Sequence, residues 1–112
     1  MKKQFLDPNI PNKSKKSDEN FQFFPNTNIP LPSEIEISES GICNRKCSFC
    51  PRSDPDYLDI KDFISNDLFD KLCKELSLYD YQGTIRFSGF VEPLLDKNIY
   101  NLINRARKII PL

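Results

Sequence analysis

Histidine is absent from the 112-residue sequence. With it go the commonest general base, the usual partner in mixed zinc sites and any cysteine-histidine nucleophile pair. Net charge is absent too: sixteen basic and sixteen acidic residues cancel, so no field across the whole chain favours nucleic acid or an anionic membrane surface. No stretch approaches the run of about 18 apolar residues expected of a spanning helix. Met1-Lys2-Lys3 is followed by Asp7, Pro8 and Pro11 rather than by the apolar segment of a signal peptide. The chain therefore reads as cytoplasmic, with no nucleic-acid or membrane partner. At this length one modest core is possible and a second full domain is not.

What is present divides into a lead-in and a patterned region. Residues 1–32 hold five of the nine prolines, and the stretch 12–20 is polar and charged with nothing to bury. An extended or disordered N-terminal segment is expected there, with Phe21, Phe23 and Phe24 pinning it against the surface of the domain. From residue 33 onward the text changes. Ile35 and Ile37 alternate with Glu34, Glu36 and Ser38, which is strand periodicity. Leu68, Phe69, Leu72, Cys73, Leu76 and Tyr79 then recur at helical spacing, with Ser65 as N-cap and Asp67 and Asp70 near the positive end. Gly83 marks a turn, and 84–88 alternates again, with Ile85 and Phe87 on one face. A last helix, capped by Asp96, carries Ile99, Leu102, Ile103, Ala106 and Ile110 on one face and Arg105, Arg107 and Lys108 near its negative end, and Pro111 stops it.

The order strand, helix, strand, helix predicts an α/β fold with parallel strands joined by a helical crossover. Strands buried on both faces are usually continuous apolar runs, whereas these alternate, so one face must meet something polar. Glu36 and Arg86 are expected there, either paired with each other, facing a polar substrate, or simply solvated.

Three of the four cysteines, Cys43, Cys47 and Cys50, lie within eight residues of one another, on the loop after the first strand. Clustered thiols in a reducing compartment point to metal ligation or catalysis rather than to disulfides. A tetrahedral zinc site wants four ligands. Cys73 could supply the fourth, but its place on the apolar face of the first helix makes it a small core residue. A 4Fe-4S cluster held by three thiolates keeps one iron open for an exchangeable ligand. Cluster, zinc and inert thiols all remain open on the spacing alone.

Cys43-x-x-x-Cys47-x-Phe49-Cys50 resembles the signature of the radical S-adenosylmethionine enzymes, in which an aromatic residue precedes the third cysteine. A second stretch, Ser88-Gly89-Phe90-Val91-Glu92-Pro93, resembles that family's Gly-Gly-Glu-Pro type motif at the end of its second strand. The resemblance implies that Cys43, Cys47 and Cys50 ligate a 4Fe-4S cluster, with Phe49 near the cluster and the adenine. It implies further that the open iron chelates S-adenosylmethionine, and that Ser88, Gly89, Phe90, Glu92 and Pro93 contact the cofactor, Glu92 at its amino group. Reductive cleavage to a 5'-deoxyadenosyl radical would follow, driven by a reductant such as a flavodoxin or ferredoxin. Val91 departs from the pattern, standing where the family usually has glycine. A β-branched residue there is expected to strain the loop or weaken cofactor binding. Arg45, Lys46 and Arg52 beside the cysteines are expected to be solvated charges by default, with tuning of the cluster or of an anionic substrate as the other reading.

The fold implied is the first two βα units of a partial (βα)6 TIM-like barrel, occupying 33–112. Two such units bury little apolar area and leave a strand edge unpaired, so a truncated or split domain, inactive or poorly active alone, is expected. The other readings are a small iron-sulfur or zinc-binding module and a non-functional fragment. The substrate is not readable from this text.

Overall fold

The computed structural model of the protein describes residues 22–110. The expectations for the first 21 residues, Phe21 among them, and for Pro111 as a helix stop lie outside the described residues.

Two short strands, β1 (Glu34–Ile37) and β2 (Thr84–Phe87), pair in parallel, with Glu34 opposite Thr84 and Ile37 opposite Phe87. Helix α1 (Asn66–Leu78) lies between them in sequence, and α2 (Ile99–Ile109) follows β2. Alternation decides which face of the sheet is covered. Ile35, Ile37, Ile85 and Phe87 turn toward the helices, while Glu34, Glu36, Thr84 and Arg86 remain exposed. The core joins Ile37 to Phe69, Cys73 and Leu76 of α1, Tyr81 of the following turn, and Leu102 and Ile110 at α2. The Phe69 and Phe87 rings stand 5.7 Å apart, which ties α1 to β2.

Ser65 caps α1 as its sequence position implies: its Oγ accepts from the Leu68 amide at 3.2 Å. The start of α2 differs from expectation. Asp96 is not its N-cap, because the residues before it coil into a 3-10 turn (Pro93–Leu95) and the helix begins only at Ile99. The Asp96 carboxylate instead accepts from the Asn98 amide at 2.8 Å, fixing the approach to the helix. An ion pair between Arg105 and Asp70 joins α2 to α1.

The chain before β1 packs on the turn between α1 and β2. Phe24 meets Tyr79 edge to face at 4.9 Å, and Gln22 is hydrogen-bonded to the Asp80 carbonyl and the Gln82 amide. Phe23 and Pro30 form an antiparallel bridge, and Leu31 is buried. Within the described residues, the folded unit thus begins before residue 33.

Candidate functional site

Both conspicuous loops leave the C-terminal ends of their strands, the end at which open α/β and barrel folds build sites. The first loop is anchored at its base. Ile64 donates to the Glu39 carbonyl at 2.7 Å and Gly41 to the Asp62 carbonyl at 3.0 Å, so 39–41 and 62–64 run side by side and the chain between them is looped out. A Cβ on Gly41 would stand 2.0 Å from the Ile60 carbonyl oxygen, so this close pairing needs glycine.

Cys43, Cys47 and Cys50 are free and partly exposed on that loop. A turn between the Cys50 amide and the Cys47 carbonyl (2.9 Å) orders the second half, and Pro51 opens a 3-10 turn (Pro51–Ser53) immediately after it. The Arg45 amide points at Cys43 Sγ at 3.4 Å. Among the described residues, no three cysteine or acidic side chains already stand together as a metal-holding set. The chemistry of the donors nevertheless suits a cluster: three free thiols on one short loop, with an amide already directed at one sulfur. Cys73 is not a fourth ligand, since it is fully buried in the core and burial pushes its thiol up. Phe49, on the same loop, is 90% exposed.

The second loop is tied to the sheet and to the first loop. Ser88 continues the ladder, its amide donating to the Ile37 carbonyl at 3.1 Å, and its hydroxyl donates to Glu36 at 2.6 Å. Ser38 Oγ in turn donates to the Ser88 carbonyl at 3.0 Å. Glu36 and Arg86, opposite each other in register, therefore do not pair: Arg86 reaches Glu34 at 2.7 Å instead. Gly89 has φ +113°, and a Cβ there would lie 2.3 Å from Ser38 Oγ. The positive φ of this loop falls on Gly89. Val91 has none, so the strain expected of a β-branched residue does not arise.

Glu92 connects the two loops, its amide donating to the Ile42 carbonyl, next to Cys43, at 3.0 Å. Its Oε1 accepts from the Leu94 amide at 3.1 Å, capping the Pro93–Leu95 turn. Arg52 makes the second connection and is 5% exposed, contrary to the solvated charge expected from the sequence. Its Nε donates to the Phe90 carbonyl, Nη1 to Asp59, and Nη2 to the Gly41 carbonyl at 2.6 Å, while its guanidinium lies 4.9 Å from the Tyr57 ring centroid. Arg45 and Lys46 are exposed, as expected, on the rim of a 250 Å³ cavity that Cys43, Arg52 and Asp59 also line.

The burial of two acids behind the loops is also unforeseen in the sequence. Glu39, just past β1, is 1% exposed and Asp96 is 4% exposed. One carboxyl oxygen of each is buried without a hydrogen-bond partner. Burial pushes the Glu39 carboxyl above its ordinary range, and the charges of Asp96 and Glu92 push the same way.

No protein-family model matches the chain. It is 33% identical over 81 residues to the S-adenosyl-L-methionine-dependent 2-deoxy-scyllo-inosamine dehydrogenase of Niallia circulans, a match covering 72% of this chain and 32% of the relative. It is 32% identical over 78 residues to the GTP 3',8-cyclase of Mesorhizobium japonicum, covering 68% and 22%. Among solved structures it resembles crystalline BtrN in complex with AdoMet and 2-DOIA, with a TM-score of 0.66 and 33% identity over 72% of this chain and 32% of that one. The chain thus spans about a third of the length of the first of these relatives. As a class, it is an α/β protein related to S-adenosylmethionine-dependent enzymes. More particularly, it belongs to the radical S-adenosylmethionine superfamily.

Proposed function

We propose that this chain provides the cluster-binding and S-adenosylmethionine-binding portion of a radical enzyme. The observation that carries the reading is the joining of the two loops at the C-terminal ends of adjacent parallel strands, by the bond from the Glu92 amide to the carbonyl next to Cys43. Cys43, Cys47 and Cys50 would hold a 4Fe-4S cluster, each as a thiolate. A bound cluster would supply the electron that cleaves S-adenosylmethionine to methionine and a 5'-deoxyadenosyl radical, and a small reductant such as a flavodoxin or ferredoxin would deliver it. Glu92 suits the amino group of the cofactor, because a carboxylate accepts charge-assisted hydrogen bonds from an ammonium. Gly89 lets the backbone of 88–93 approach closely where a side chain would not fit. Phe49, fully available beside Cys50, is suited to cover the adenine.

In this reading the two βα units are the first of a partial (βα)6 barrel. The support lies beside β2, where Gly83, Ile85, Phe87, Ile103 and Ala106 line an open groove of 470 Å³. A further strand pairing there would cover apolar surface that the described residues leave open. The named relatives act on a cyclitol amine and on GTP, as their names state. Those substrates are too unlike each other to transfer to this chain. No helix among the described residues is long and apolar enough to cross a membrane.

Anaerobic reconstitution of the purified chain with iron and sulfide tests the reading. Stoichiometric iron and acid-labile sulfide, with an electron paramagnetic resonance signal of the reduced cluster that changes on adding S-adenosylmethionine, is the expected result. Zinc retained without sulfide uptake would overturn it. Release of 5'-deoxyadenosine is expected to be slow from this chain alone, since among the described residues the groove beside β2 is uncovered.

A further inference from the structure

We propose that Arg52 is a positioning residue that sets the S-adenosylmethionine loop against the cysteine loop, so that its loss weakens cofactor binding more than cluster loading. The inference rests on the reading of the site given above.

A guanidinium withdrawn from water is tolerated only when its donors are satisfied and its charge is balanced. Arg52 meets both conditions through three separate pieces of chain. Gly41 lies at the base of the cysteine loop, Asp59 on its returning limb, and Phe90 on the 88–93 loop, 38 residues away in sequence. Tyr57 covers the guanidinium at cation-π distance. The planar fork of arginine reaches the three acceptors from three different nitrogens, a spread that the compact ammonium of lysine cannot reproduce.

The consequence for the site follows from what each anchor holds. Gly41 is two residues before Cys43, and Phe90 is two residues before Glu92. The bond from the Glu92 amide to the Ile42 carbonyl lies between them. Two connections therefore close one short circuit of chain: Arg52 to Phe90 and Glu92 to Ile42. The cysteines themselves belong to the first loop and do not depend on Phe90. Releasing Arg52 removes one of the two connections and leaves the second loop held to the first by the Glu92 amide, while all three thiols stay on their own segment. Cluster loading and cofactor affinity are thereby predicted to separate.

Arg52→Lys in the full chain tests this, with Arg105→Lys as a control that disturbs the α1 to α2 ion pair instead. Three readouts are taken: iron and sulfide content, titration of the reduced-cluster resonance with S-adenosylmethionine, and amide hydrogen exchange of the metal-free chain. Arg52→Lys is expected to keep iron and sulfide within about twofold of the parent while the half-saturating S-adenosylmethionine concentration rises about tenfold, a loss of about 1.4 kcal/mol. In the metal-free chain the Glu92 amide should exchange faster. Arg105→Lys should leave the titration unchanged. Should Arg52→Lys fail to fold, Asp59→Asn repeats the measurement with two of the three anchors intact and is expected to raise the half-saturating concentration about threefold. An unchanged titration in the folded variant overturns the role of Arg52 alone. A parent chain that loads iron and sulfide but ignores S-adenosylmethionine, or loads neither, overturns the reading of the site and this inference with it.

Discussion

At the scale of single residues, the four cysteines divide by environment. Cys43, Cys47 and Cys50 are partly exposed on one loop, and Cys73 is sealed among Phe69, Leu76 and Leu102. Replacing any one of the triplet with serine is expected to reduce iron and sulfide uptake to background while leaving the melting temperature of the metal-free chain unchanged. Cys73→Ser should do the reverse, retaining uptake and lowering stability by about 1–3 kcal/mol, because a hydroxyl would be buried in an apolar core. Paired metal analysis and thermal melts separate the two kinds of thiol. Glu39 carries a second prediction. Its carboxyl is raised by burial, with Asp96 and Glu92 adding to the effect. The folded state therefore holds its proton more tightly than the unfolded chain, and this contribution is full below the ordinary carboxyl range. It is lost as pH rises through the raised value. Glu39→Gln removes the titration and the burial of a carboxylate that accompanies it. It should flatten the decline of stability that sets in as pH rises above the ordinary carboxyl range and leave the variant about 1 kcal/mol more stable than the parent where Glu39 is ionised. A variant whose denaturant midpoint tracks the parent at every pH would rule this out.

At the scale of elements, local rules account for most of what forms. Both strands are legible because Ile35 and Ile37, and Ile85 and Phe87, alternate with polar residues in four-residue stretches. Helix α1 is legible at both levels, from its apolar spacing and from Ser65. Ser65→Ala is expected to cost about 1 kcal/mol, read as a lower denaturant midpoint with an unchanged slope. What is not legible depends on partners distant in sequence. The α2 boundary shifts because the Pro93–Leu95 turn lies between the strand exit and the helix, and Asp96 then serves the Asn98 amide. Arg86 chooses Glu34 over the directly opposed Glu36 because Ser88 already occupies Glu36. Arg52 is the largest case. Nothing in "CPR" reveals that its acceptors include a carbonyl of Phe90, so a buried residue reads as a surface charge. Of the candidate site, the thiols and the second loop are visible in the text, whereas the connections between the loops exist only in the fold.

At the scale of the whole molecule, the described residues form a sheet of two strands. Two strands expose the outer edge of β2, and an unpaired strand edge beside apolar surface is a template for association. Ile103, 42% exposed on α2, and Ala106 border the groove along that edge. In a longer radical enzyme the next strand would fill it. In the isolated chain another copy is one available occupant, at a concentration set by how much apolar area the contact covers. The chain is therefore expected to self-associate as its concentration rises, and Ile103→Lys to shift that equilibrium toward monomer by about tenfold, since a charge on the groove wall must then be desolvated for another copy to dock. Because Ile103 is partly in solvent already, the substitution should change the melting temperature little. Sedimentation velocity over a concentration series decides the matter: a parent chain that stays monomeric throughout would mean that the groove is too open to hold a second sheet edge.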